Sequence, residues 1–77
     1  MTLDQLPPET PTRVRALATA GDAVAERRLR EVGFDEGVSV ELLHAAPFGG
    51  DPIAVRVDGA TVALRRTHAR LIEVDPV

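Results

Sequence analysis

Few side chains in this sequence are equipped for chemistry, and their spacing limits what they can do. His44 and His68 stand 24 residues apart. With Asp51 or Asp58 either imidazole could join an opportunistic cation site, but two histidines at unrelated spacing do not form a ligand pattern, and both read as surface residues. Ser39 is the sole serine. Its nearest same-face neighbour is Glu41, and no histidine is placed to take its proton. There are 12 carboxylates, with no apolar pocket evident that would split the pKa values of a pair. Gly49-Gly50 is not followed by Gly-Lys-Ser/Thr, and no helix starts there to receive a phosphate. The absence of cysteine excludes a disulfide framework and a thiolate zinc site, and fits a reducing compartment. The expectation is a protein that is not an enzyme and carries no cofactor.

The arginines are more suggestive. All nine cations are arginine, and against 12 acids they leave a formal charge of −3. Two pairs stand out, Arg27-Arg28 and Arg65-Arg66. Guanidinium heads suit bidentate grasp of a carboxylate or phosphate and are enriched at protein interfaces. The plainer reading is a solvated surface balanced by Glu26, Glu31 and Glu73. The acidic balance lacks the basic excess that nucleic-acid backbones require. Phe34 and Phe48, the entire aromatic content, cannot wall a proline-peptide groove or stack bases. Seventy-seven residues make one domain, and a chain of that size buries only about 60% of its unfolded surface. No apolar run approaches the roughly 20 residues of a membrane span. Met1-Thr2-Leu3-Asp4 lacks the basic stretch and apolar core of a signal peptide. Together these features predict a small cytoplasmic domain.

Positioning those residues requires a short series of elements. Thr2 to Leu6 reads as a capped turn in which Gln5 reaches back to Thr2. Pro7, Pro8 and Pro11 then impose an extended path, so residues 1–11 form a lead-in and 12–74 the body of a single domain spanning 1–77. Thr12 to Ala18 predicts a first strand, with Val14, Ala16 and Ala18 on one face and Arg13, Arg15 and Leu17 on the other. Asp22 is placed to cap a helix whose core stripe is Ala25, Leu29 and Val32. Glu26 and Arg30 form an i,i+4 pair on the outer face. Arg28 projects between Val24 and Val32 on the apolar half. It either snorkels to a carboxylate at the rim or faces a partner. Gly33 stops the helix in the left-handed region, with Phe34 folding back.

Asp35-Glu36-Gly37 is a turn, and Val38 to Leu43 a second strand with Val38, Val40 and Leu42 on one face. Ala45 to Pro52 is expected to be a loop. Asp58-Gly59 is a two-residue hairpin turn that sets Val57 opposite Ala60, Val55 opposite Val62 and Ile53 opposite Leu64. Arg66 to Arg70 suits a short helical turn, and Leu71 to Val74 a last strand. About five short strands and one helix, with no second crossover helix, predict a small barrel or sandwich. An unpaired edge strand in so small a barrel invites a homodimer.

Several segments combine into a known pattern. Arg27-Arg28-Leu29-Arg30-Glu31-Val32-Gly33-Phe34, Gly37-Val38, Ala46-Pro47-Phe48-Gly49-Gly50-Asp51-Pro52-Ile53, Ala63-Leu64-Arg65-Arg66 and Ile72-Glu73-Val74 resemble the FeoA family in order and spacing. Leu3-Asp4-Gln5-Leu6 and Pro8 resemble its leader turn. The resemblance implies a mainly β fold: an SH3-like β-barrel of about five strands with an α-helix inserted after the first strand. It also implies a cytoplasmic accessory protein of bacterial ferrous iron uptake, a protein-interaction module acting on the FeoB permease through its cytoplasmic GTP-binding domain. No catalytic residues carry over. Glu9 and Thr12 stand where relatives often have glycine, Glu36 where many have proline, and Gly49-Gly50 where many have one glycine.

The motif residues also have structural explanations, with Leu29 a core anchor and Gly33 a helix stop. The expected partner surface is therefore Arg28 and Leu29 on the helix, Phe48 in the loop, and Arg65 with Arg66. Two other readings stand beside this one. The chain could be a stand-alone relative of the C-terminal SH3-like regulatory domain of metal-dependent repressors, or a metal-binding iron carrier or sensor using His44 and His68.

Overall fold

A two-residue turn with both residues at positive φ matches the twist of the strands it joins. Asp58 at φ 48° and Gly59 at φ 85° adopt that geometry, and they link strand β3 (Ile53–Val57) to β4 (Ala60–Leu64). Every facing pair that the sequence predicts is present, from Val57 with Ala60 to Ile53 with Leu64. The computed structural model describes residues 1–77. The remaining elements are a leader turn (Leu3–Gln5), β1 (Thr12–Leu17), helix α1 (Ala23–Val32), β2 (Ser39–Ala45), the short helix α2 (Arg66–Ala69) and β5 (Ile72–Pro76). All strand pairings are antiparallel, in the order β4-β3-β2-β1-β5. The architecture is mainly β, with α1 inserted after the first strand as expected.

Two β-bulges change the sequence-based reading of faces and ends. In β1 the register with β5 shifts between Val14 and Ala16, so Arg15 is an extra residue. Beyond it Leu17 pairs with Ile72 and packs on the core. Ala18, expected on the same face as the buried Val14, is exposed, because one inserted residue swaps every later side chain to the opposite face. In β2 a second shift lies between Leu42 and His44. The bulge at Leu43 lets the strand continue, so Ala45, expected in the loop, pairs with Ile53.

The helix begins as predicted, with the Asp22 carboxylate accepting from the Ala25 N–H at 3.0 Å. It ends at Gly33, φ 119°, whose N–H reaches the carbonyls of Leu29 and Arg30. The Phe34 N–H also donates to Leu29 O at 3.0 Å, and Phe34 is wholly buried. Val32 is the exception to the predicted stripe: it is 44% exposed, and Val24 61%. Phe34 enters the core just beyond the helix, and Val32 stays at the rim. Leu29 is the one buried residue of α1.

Arg30 ties the helix end to the following turn. Its guanidinium lies 3.9 Å from Glu26, as the i,i+4 spacing predicts, but its close contacts are Asp35 at 3.0 Å and both Glu36 oxygens at 2.8 and 3.1 Å. These hydrogen bonds hold the Glu36 carboxyl down at about 2, from an ordinary 4.5, and push the guanidinium of Arg30 further above its usual range. The turn after the helix is thus held by an ionic clamp.

The leader belongs to the core. Leu3 and Leu6 are buried in the same cluster of 14 side chains as the strands. Gln5 accepts from the Thr2 N–H at 3.1 Å, while the Thr2 hydroxyl donates to Asp4. Thr2 bridges to Glu73, and Met1 O accepts from the Val74 N–H. Glu9 adopts the left-handed φ of 62°, with its N–H bonded to Leu42 O at 2.7 Å. Thr12 is buried and donates to Val40 O at 2.8 Å.

Two outcomes follow. Leu29→Ala should lower unfolding free energy by about 2–5 kcal/mol, with α1 amides exchanging before those of β3; urea titration and hydrogen exchange read both. Because the folded Glu36 carboxyl titrates below its unfolded value, the clamp stabilises the fold fully above pH 4.5 and is lost as pH falls through about 2. Stability measured across that window should fall more steeply for the native protein than for Glu36→Gln.

Candidate functional site

Most of the nine arginines are engaged within the fold. Arg15 pairs with Glu73 and Asp75, Arg30 with its three acids, Arg56 with Glu41, and Arg70 with Asp4. Arg13 donates to Gly37 O at 3.4 Å. Arg66 is bound most completely: Nε donates to Gly50 O at 2.6 Å, a terminal nitrogen donates to Asp4 O at 3.0 Å, and its backbone N–H donates to Asp51 Oδ1 at 3.1 Å. Asp51 thus caps α2 from a distant loop, and Arg66 clasps that loop to the leader. Only Arg27, Arg28 and Arg65 form neither an ion pair nor a side-chain hydrogen bond.

Arg28 and Arg65 line the same groove, an open cleft of about 580 Å³ between α1 and the end of β4. Its apolar lining is Val24, Ala25, Leu29 and Val32 from the helix, with Ala63 and Leu64 from the strand. His68 of α2 closes one side, and Asp22 and Glu31 also border it. Arg28 does not snorkel to a carboxylate; its head is free beside Val24 and Val32. The groove can therefore desolvate an apolar group while two guanidiniums offer bidentate hydrogen bonds to a carboxylate.

Of the five residues predicted from sequence, the structure brings three together. Arg28 and Arg65 flank the groove, and Leu29, 4% exposed, forms its base. Phe48 is 94% exposed at the tip of the loop between β2 and β3, outside the groove. Arg66 points into the loop–leader clasp rather than pairing with Arg65. Val24 and Val32 are groove residues that the sequence reading did not assign to a site, and His68, weighed there only as a cation ligand, lines the groove as well. Val24, Arg28 and Val32 follow i, i+4, i+8 along one helix edge, which is the signal that could have joined them. His44 lies in the bulged end of β2 and His68 in the groove, and no group of three or more His, Cys, Asp or Glu is placed to hold a metal ion.

The FeoA domain family matches residues 1–76, nearly the whole length over which this fold and groove are built. The chain belongs to the FeoA family. Its structure is similar to that of iron(II) transport protein A from Clostridium thermocellum, with 35% identity and a TM-score of 0.90 over all of this chain and 46% of that one. This FeoA chain thus spans about half the length of that relative. The zinc complex of Stenotrophomonas maltophilia FeoA, a prokaryotic SH3 domain protein, has 40% identity and a TM-score of 0.82 over 97% of this chain and 89% of that one. A manganese-dependent transcriptional repressor shares the fold at 23% identity and a TM-score of 0.86, covering all of this chain and 41% of the repressor. No curated protein sequence matches this FeoA chain.

The split between the two neighbouring arginines is measurable. Arg66→Gln should cost about 1–3 kcal/mol of stability, because carbonyls of Gly50 and Asp4 lose a charged donor. Arg65→Gln should stay within about 0.5 kcal/mol of the native protein. Parallel urea titrations compare them.

Proposed function

We propose that this FeoA domain is a cytoplasmic accessory protein of bacterial ferrous iron uptake that docks on the cytoplasmic GTP-binding domain of a FeoB-type permease. The docking surface is the groove between α1 and β4. The observation that carries this reading is that two of the three uncommitted arginines, Arg28 and Arg65, stand on either side of one apolar cleft, while six of the nine cations are engaged within the fold. Such a surface suits an apolar side chain followed by an acid on the partner. Phe48, free at its loop tip, is a second contact available to the same partner. The relatives support the setting: one is an iron(II) transport protein, and another is described as a candidate activating factor of bacterial ferrous iron transport. The role is binding rather than catalysis. No helix is long and apolar enough to cross a membrane.

A metal-carrying role is the second reading, favoured by the zinc bound to the Stenotrophomonas maltophilia relative. Titrating isotope-labelled protein with the permease's GTP-binding domain, and separately with ferrous iron, separates the two. Docking predicts resonance shifts concentrated at Val24, Arg28, Val32 and Arg65. Arg28→Glu and Arg65→Glu should each weaken binding at least about tenfold, the loss of a well-placed interface arginine. Intact binding by both folded variants would sink the groove assignment. Shifts with iron alone, centred on His44 and His68, would favour the carrier.

A further inference from the structure

The two edges of the sheet are treated differently. The β5 edge is covered, since Thr2 bridges to Glu73 and the Val74 N–H bonds to Met1 O. No strand or bridge pairs with the outer edge of β4. In a hairpin closed by a two-residue turn, the residues flanking the turn exchange both of their hydrogen bonds, and the pattern alternates from there. Ala60, Val62 and Leu64 therefore face β3, whereas the N–H and C=O groups of Thr61 and Ala63 point outward. No backbone bond outside the ladders engages either residue. The strand also lacks three usual protections of an edge: Ala60–Leu64 carries no charge, no proline and no bulge, in contrast to the bulged pairings of β1 and β2.

We infer that β4 is a self-pairing edge and that its occupant is β4 of a second copy, joined antiparallel about a two-fold axis at Val62. That register sets Thr61 of each copy opposite Ala63 of the other and uses all four outward donors and all four outward acceptors. Charge selects a second copy over a generic extended peptide. Asp58 at one end of the strand and Arg65 at the other are both exposed and unpaired. Antiparallel pairing brings each Asp58 alongside the other copy's Arg65, one position off the directly facing residue and within reach of an arginine side chain. The contact is isologous, so it closes at two copies rather than propagating.

The test uses the whole chain. Sedimentation equilibrium should show a concentration-dependent dimer. Hydrogen exchange should show Thr61 and Ala63 amides gaining protection as protein concentration rises, while Val62 and Leu64, bonded to β3, stay protected throughout. Thr61→Pro removes an outward donor without touching the β3 ladder and lies outside the groove; it should weaken the dimer at least about tenfold. Arg65→Glu should weaken it as well, by placing like charges side by side. A monomer at millimolar concentration overturns the proposal, as does a dimer that leaves Thr61 and Ala63 exchange unchanged. Protection of those amides only on adding a permease domain also overturns it, assigning the edge to that partner.

Discussion

Five short strands can enclose a core only if the sheet curls, and in this domain extra residues at Arg15 and Leu43 provide the curl. Much else depends on that constraint. The bulge in β1 turns Leu17 inward against Ile72, and the bulge in β2 carries the strand on to Ala45 before the loop begins. The leader closes the end by placing Leu3 and Leu6 in the core and covering the β5 edge. In so small a domain, 14 buried apolar side chains include a single aromatic, Phe34. The lead-in is therefore a structural part of the domain.

Charge is organised around the same frame. Arg66 holds the loop after β2 against the leader, and Arg30 holds the end of α1 against the Asp35–Glu36 turn. Salt bridges this exposed contribute little one by one. The clasp made by Arg66 differs because it satisfies backbone carbonyls in a part-buried place and joins segments 62 residues apart. With those cations engaged, the free ones become informative. Arg28 and Arg65 come from separate elements, yet they border one cleft whose apolar lining includes the valines α1 leaves exposed.

The legible parts of the sequence were the local ones. Asp22, Gly33 and Asp58-Gly59 act through bonds or dihedral angles within a few residues, so the helix limits and the β3–β4 register could be read directly. The family resemblance extended this to the whole SH3-like topology. Alternation failed in β1, because a bulge leaves no mark in the run Arg13-Val14-Arg15-Ala16-Leu17. The helical stripe overcounted at Val32 because periodicity ranks faces but does not say how deep a helix sits.

The site was only half legible for a related reason. Arg65-Arg66 looks like one basic pair, but consecutive residues at the start of a short helix point in different directions, and distant carbonyls at Asp4 and Gly50 claim only Arg66. Sequence by itself determined the hairpin, the capped helix and the shortage of aromatics, since each rests on residue chemistry or near-neighbour geometry. Tertiary structure decided which arginines are free, which valines stay exposed and which sheet edge stays open. Those properties depend on partners far along the chain, brought close only when the curled sheet closes around its core.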